Sequence, residues 1–448
     1  MRIPQAPPAF DELLAGLTKP EVLFTLLNTV SSSTVDARYL HWDELRFRSP
    51  PEGLTHREWW LGLKMVRQAA SRTVPLVDTK GRAFRFSVPD LVTDLLHQID
   101  RGGGTAIQIP EPVTNAHQRD RYVVRSLIEE AITSSQLEGA TTTREVARKM
   151  LAEGRKPRDR GEQMIANNYL TMQRITELRE KPLTPETVLE IHRAISAGTL
   201  DIADGAGRLR RVDEEIQVED IEGTVFHRPP PAGELPARLQ AMCDFANAKT
   251  PEFFVHPVLR GILLHFWLAY DHPFVDGNGR TARALFYWQA LHAGYWLVEF
   301  ISISQFLRKA PAQYGTAFLH TETDEGDLTY FIVHQAEIIR RAIRELHDYV
   351  ARKAAETRVC LDALQRHPEL NHRQQALLGH AFRHPGFAYT IAGHRVRHAV
   401  TYQTARTDLL SLARFRLLEQ RKAGRALVFV APQDLESRLQ AKGEEGLR

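Results

Sequence analysis

The stretch that most restricts the architecture runs from Val258 to Leu291: an apolar run, a loop holding one proline and two glycines, and a second largely apolar run. Val258 to Tyr270 is long enough for a buried helix. Asp271 and His272-Pro273 end it, because the residue before a proline is pushed out of the α region. Gly277-Asn278-Gly279 then lets the backbone turn with positive φ and brings its N–H groups close to whatever lies above. A second helix is expected from about Arg280, carrying Ala284, Leu285, Phe286, Trp288 and Leu291.

A helix N-terminus with free N–H groups favours an anion. Arg280 and Arg283 are three apart, so both lie on one face of the first turn and can grip one polyphosphate. Asp276 offers a hard oxygen suited to Mg²⁺. His272 stands at the near end of the loop, where a neutral imidazole can take a proton from a hydroxyl. Anion cradle, metal ligand, cationic clamp and base are the parts of a phosphoryl- or nucleotidyl-transfer site. The plain alternative is a glycine turn and a capping histidine between two core helices.

The window His272-Pro273-Phe274-Val275-Asp276-Gly277-Asn278-Gly279-Arg280-Thr281-Ala282-Arg283 resembles the signature loop of Fic domains at every position. The resemblance implies AMP transfer from ATP to a Ser, Thr or Tyr hydroxyl of a protein. His272 would be the base and Asp276 the ligand of Mg²⁺. Gly277, Asn278 and Gly279 would form the anion hole, Arg280 would hold the β-phosphate, and Arg283 would reach the γ-phosphate; Thr281 and Ala282 complete the nucleotide-binding loop. A second match is Ser134-Ser135-Gln136-Leu137-Glu138-Gly139, which closes a helical run from Asp120 to Leu137. It resembles the N-terminal inhibitory helix of such proteins, in which Glu138 pairs with Arg283 and Ser134 belongs to the same motif. A carboxylate at a helix C-terminus needs a cationic partner in any case.

The same likeness makes Ile216 to Pro231 a β-hairpin flap over the site. Its arms are Gln217-Val218 and Thr224-Val225-Phe226, around Glu222-Gly223. A target protein would add a strand to this flap, and Thr224, Val225, Phe226 and His227 would touch the nucleotide. Tyr314 and Asp324 fall at adenine-side positions. There the chain departs from the usual pattern, with Tyr314-Gly315 for Tyr-Tyr and Asp324 for an Asn, so the base itself stays open.

The expected fold is mainly α: an all-helical core at 116–355 with the flap, an N-terminal extension at 1–115 of unassigned role, a winged helix-turn-helix at 368–432 and a charged tail at 433–448. In the extension, Phe10 to Leu27 reads as helix, Thr55 opens a capping box with Glu58, and Lys80-Gly81-Arg82 reads as a hairpin turn. Arg101-Gly102-Gly103-Gly104-Thr105 reads as a linker. Two cysteines, no signal peptide and no apolar stretch of membrane-spanning length give a cytoplasmic expectation and no membrane partner. Between Asn371 and Val430, ten Lys and Arg residues face only Asp408 and Glu419, a net charge of +8. Thr401 caps a helix running to Leu418, Arg421 to Arg425 forms a turn, and Ala426 to Val430 a strand. Tyr402, Gln403, Thr404 and Arg406 are the candidate DNA contacts. Three functions are therefore in view: a self-restrained adenylyltransferase, a nucleotide-sensing DNA-binding regulator, and an enzyme that removes AMP from a modified protein. The expected partners are ATP, a target protein, DNA and a second copy of the chain.

Overall fold

The computed structural model describes residues 2–16, 26, 38–103, 116–202, 204–220, 222–365, 369–383, 386–423, 426–432, 434–435 and 437–439. The fold is mainly helical, with three small antiparallel sheets. The described residues within 1–107 and 123–344 form one compact unit, and those within 108–122 and 345–448 form another.

The first unit opens with α1 (Phe10–Ala15), α2 (Trp42–Leu45) and α3 (His56–Ala70). Thr55 and Glu58 form the expected capping box at the start of α3, each side chain bonding the other's backbone N–H. Strands β1 (Arg72–Val77) and β2 (Ala83–Phe86) make the predicted hairpin, followed by α4 (Asp90–Gly103). Gly102 and Gly103 end that helix, and Gly103 is buried, so they are no linker; Gly104 and Thr105 lie outside the described residues, as does most of Phe10 to Leu27 beyond α1.

Residues 1–103 are no separate appendage. Lys64 Nζ lies 2.8 Å from Asp324 Oδ1, with both side chains almost wholly buried. Tyr39 OH donates to Asp327 at 2.7 Å and Arg67 donates to Tyr330 OH at 3.0 Å. Charged groups without water must find one another, and these pairs join the first hundred residues to the helical core.

The core follows as α5 (Ala116–Leu137), α6 (Arg144–Glu153), α7 (Arg160–Leu178) and α8 (Pro185–Ser196), then the flap strands β3 (Val218–Glu219) and β4 (Val225–His227). It continues with α9 (Leu235–Ala246), α10 (Pro257–Asp271), α11 (Asn278–His292), α12 (Ile303–Lys309), α13 (Pro311–Thr323) and α14 (Thr329–Gln365). Helices α10 and α11 are the two apolar runs of the sequence. They are buried nearly from end to end at the centre of this unit. Gly277 at φ 83° provides the left-handed turn between them, and α11 begins two residues before the expected Arg280.

The second unit continues from α14 with α15 (His372–Arg383), β5 (Ala388–Thr390), α16 (Ile391–His398), α17 (Tyr402–Arg414), β6 (Glu419–Ala423) and β7 (Ala426–Val430). Its sheet has the order β5-β7-β6, with β7 antiparallel to both neighbours, and α15, α16 and α17 precede the β6–β7 hairpin. Leu378, Leu409, Leu412 and Phe429 form its dry centre. Two expectations are corrected here. Arg421 and Lys422 belong to β6 instead of a turn. Helix α17 stops at Arg414, because the N–H groups of Leu417 and Leu418 fold back to the Leu412 carbonyl at 2.9 and 3.2 Å. Leu435 and Leu439 of the expected tail are buried in the same centre; the remainder of 433–448 lies largely outside the described residues.

Candidate active site

His272 sits in the left-handed conformation at φ 44°, directly after α10. This conformation satisfies the exclusion of α geometry before Pro273. Its Nδ1 lies 3.2 Å from the Ala269 carbonyl, an acceptor, so Nδ1 carries the proton and Nε2 keeps the lone pair. Burial pushes this imidazole down to about 4. It is therefore neutral at pH 7, as a proton acceptor must be.

The loop beyond is held by side chains on both flanks. Asn278 accepts from the Phe274 N–H at 3.0 Å and donates to the Phe274 carbonyl at 2.8 Å. Its amide thus staples the loop, and only its backbone N–H remains for an anion. Thr281 donates to the Gly277 carbonyl at 2.9 Å, and both Thr281 and Ala282 are fully buried, facing the core. Asp276 keeps a half-exposed carboxylate, with Arg160 at 3.6 Å and Arg280 at 3.7 Å.

The two arginines differ in what they hold. Arg283 donates to Ser134 Oγ at 2.8 Å, to the Ser134 carbonyl at 3.0 Å and to Glu138 Oε1 at 2.9 Å. Burial pulls this guanidinium down, but Glu138, Tyr314 and Glu130 outweigh it and the net shift is upward. Arg280 donates to the Ile195 carbonyl at 3.3 Å, while its buried Nε and Nη2 have no hydrogen-bond partner among the described residues. A desolvated cation with two idle donors beside a helix N-terminus suits an anion. Glu138 lies over that turn: a Cβ built on Gly279 would stand 2.8 Å from its Cδ and 3.0 Å from its Oε2. Gly279 thus lets the carboxylate approach, and the charge of Glu138 acts on His272, Arg280 and Arg283 alike.

The register behind this contact is an antiparallel zipper. Glu130 and Ser134 on α5 and Glu138 just past its end, four apart, face Tyr287, Arg283 and Gly279, four apart on α11. Glu130 is fully buried and accepts from Tyr287 OH at 2.9 Å, Ser302 Oγ at 2.8 Å, Ser304 N at 3.1 Å and Ser304 Oγ. Among the described residues no Lys or Arg is in ion-pair contact with this carboxylate, and the four donors take that place.

The flap strands, Val218–Glu219 and Val225–His227, lie one residue further along than the expected arms, and Ile221 between them falls outside the described residues. Thr224 is exposed, and Val225 and Phe226 are half-buried. His227 does not offer a free ring to a nucleotide: Nδ1 lies 2.8 Å from Glu322 Oε2 and Nε2 lies 2.7 Å from the Tyr270 carbonyl. Both partners can accept, an arrangement that favours the protonated ring. Burial lowers its pKa, Glu322 raises it, and the balance is upward.

Two adenine-side expectations also change. Asp324 is taken up by Lys64 and by Tyr330 OH at 2.8 Å, so it is a buried ion-pair partner with nothing left for a base. Tyr314 OH bonds His265 Nε2 at 2.7 Å beneath Arg283.

Several residues at the site carry no linear signal. His192 of α8 is completely buried and stacked on Phe274 with 3.6 Å between ring centroids and 2° between planes. Its Nδ1 accepts from the Gly207 N–H at 3.0 Å and its Nε2 donates to the Asp276 carbonyl at 2.9 Å. Arg210 donates to the carbonyls of His272, at 3.0 Å, and of Pro230, tying the loop to the end of the flap. Nothing in the local sequence of either residue marks its meeting with the loop.

With this geometry, residues 182–290 match the model of the Fic/DOC family. The chain carries a Fic domain. A protein adenylyltransferase Fic of Nematostella vectensis is 28% identical over 214 residues, 46% of this chain and 47% of that protein. Its counterpart in Drosophila willistoni is 33% identical over 131 residues, 29% of this chain and 24% of the relative. The chain thus spans half or less of the length of these curated relatives. A Fic family protein from Desulfovibrio desulfuricans has a similar fold, with a TM-score of 0.51 at 18% identity, covering 76% of this chain and 95% of that one. Among the described residues, no helix is long and apolar enough to cross a membrane.

Proposed function

We propose that the Fic domain of this chain transfers AMP from ATP to a hydroxyl of a protein, and that Glu138 restrains the transfer. The observation that carries the reading is the single carboxylate of Glu138, seated over Gly279 against Arg283 and within the electrostatic reach of His272 and Arg280. The seat that accepts this carboxylate is one that accepts a phosphate. With Arg283 released, the polyphosphate of ATP lies on the amide turn, and the idle Nε and Nη2 of Arg280 close on it. His272 Nε2 takes the proton of the incoming hydroxyl, whose oxygen bonds the α-phosphorus as the bond to pyrophosphate breaks. The proton stays on the imidazole, and Arg280 stabilises the charge that collects on the departing phosphates.

Asp276 suits Mg²⁺: it is a half-exposed carboxylate whose Oδ1 accepts from the Gly277 N–H and whose Oδ2 faces Arg160 and Arg280 beyond hydrogen-bond distance. Among the described residues no cluster of three or more His, Cys, Asp or Glu side chains surrounds a cation site, which accords with an ion held by one carboxylate, phosphates and water. When bound, that ion would neutralise phosphate charge.

The test uses the full chain and its Glu138→Gly and His272→Ala variants with α-labelled ATP and Mg²⁺. Self-labelling that rises in Glu138→Gly and vanishes when His272→Ala is added supports transfer; no labelling of any form refutes it. An AMP-modified protein offered to the same enzymes distinguishes removal from addition.

A second reading concerns the C-terminal unit, for which we propose contact with duplex DNA. Tyr402, Gln403 and Arg406 are exposed at the start of α17, with Thr404 half-exposed. Arg395, Arg397, Arg406 and Lys422 are exposed and make no ion pair among the described residues, whereas Asp408 is spent inward on Arg373 and His394. Fluorescence anisotropy with a labelled duplex tests it: affinity should fall steeply with salt, and Arg406→Ala should weaken it.

A further inference from the structure

The flap carries a feature that catalysis does not use. Between Val212 and Phe226 stand six acidic residues and no Lys or Arg. Glu214 is paired with Arg208, and Asp220 is bound into the turn by the N–H groups of Glu222 and Thr224, each at 3.0 Å. Asp213, Glu215, Glu219 and Glu222 are exposed and make no ion pair among the described residues.

Glu219 lies on β3, Glu222 in the turn after it, and Asp213 and Glu215 on the approach to it; β3 and β4 form a two-stranded sheet with no further neighbour among the described residues, so each has an open edge. An open edge is a template for another extended chain. The hairpin is also fastened to the catalytic loop. His227 bonds the Tyr270 carbonyl at 2.7 Å, two residues before His272, and Arg210 bridges the carbonyls of His272 and Pro230. A chain lying along this edge is thereby held in register with the catalytic imidazole.

Charge on an exposed edge strand also discourages unwanted pairing, but either sign or a mixture would serve that purpose. A single sign on the exposed charges from Asp213 to Glu222 selects among partners, since like charges across an interface are penalised and opposite charges steer the encounter. We infer that the flap selects protein targets in which the hydroxyl to be modified lies in an extended segment flanked by Lys and Arg. This rests on the AMP-transfer reading and names the chemistry of its protein substrate.

The experiment uses the full-length Glu138→Gly enzyme with labelled ATP. The peptides are of equal length, carry Ser, Thr or Tyr at the centre, and have Lys/Arg, Gln/Ser or Glu/Asp flanks. The basic set should be labelled about tenfold or more above the acidic set, with the preference shrinking as salt rises. Reversing the surface charge by Glu215→Lys, Glu219→Lys and Glu222→Lys together should invert the order. Self-labelling of this reversed enzyme reports that its fold and catalysis persist. Anisotropy of the same peptides on His272→Ala reads docking without turnover, and basic peptides should bind it the more tightly.

Equal labelling and equal binding of basic and acidic sets, or a preference that survives charge reversal, overturns the inference. Loss of all self-labelling in Glu138→Gly would instead refute AMP transfer itself, and the binding measurement would still decide the charge preference.

Discussion

Removing a single hydroxyl, in Ser134→Ala, should loosen the restraint by a predictable amount. Arg283 is fully buried, and its Nε gives its proton to Ser134 Oγ at 2.8 Å. The substitution leaves that donor unsatisfied in the restrained state, while Glu138 and the Ser134 carbonyl stay in place. A hydrogen bond from a charged donor is worth roughly 1.5–3 kcal/mol when lost in a dry site. In the released state Arg283 turns to phosphate, and the serine no longer matters to it. The balance between restrained and released forms should therefore move by a factor of about 10 to 100, at about tenfold per 1.4 kcal/mol. Self-labelling with α-labelled ATP should rise by about that factor, up to the level of Glu138→Gly as a ceiling. No change in Ser134→Ala beside a large rise in Glu138→Gly would show that the hydroxyl does not hold Arg283. A rise beyond Glu138→Gly would refute the carboxylate as the restraining group.

Three further outcomes follow from the same geometry. The labelling rate of Glu138→Gly should lack an acid limb near pH 6.5 and decline only towards about pH 4, because His272 is proton-free above its lowered pKa. For His227 the sign is opposite: its folded pKa is raised, so the flap anchor is complete below about 6.5 and is lost as pH climbs through the raised value. Amide exchange at 216–228 should quicken over that interval and be indifferent to it in His227→Asn. Lys64→Met should lower unfolding stability by about 3–5 kcal/mol, because it strands the buried Asp324 carboxylate; chemical denaturation measures it.

The catalytic loop was legible because its parts are contiguous: twelve neighbouring residues carry the base, the carboxylate, the turn and both arginines. Glu138 was legible because a carboxylate at a helix C-terminus needs a cation, and Arg283 supplies it. Contacts made by chain reversal were not. Lys64 and Asp324 lie 260 positions apart, and nothing local marks either as the other's partner. His192 lies in no sequence motif, and its role depends on Phe274 arriving against its ring. Gly102 and Gly103 were misjudged because glycine composition signals freedom only where packing leaves the backbone free, and Gly103 is buried.

The glutamate above Gly279 belongs to the same polypeptide as the seat it covers. It therefore behaves as a tethered competitor, present at a fixed effective concentration that dilution cannot lower. A nucleotide that needs Arg283 must outcompete it at every encounter, whereas one that needs only Arg280 leaves the Glu138–Arg283 pair unbroken. Between a nucleoside triphosphate and the corresponding diphosphate, the usual gain in affinity from the third phosphate should be muted in the native chain and return once residue 138 bears no carboxylate.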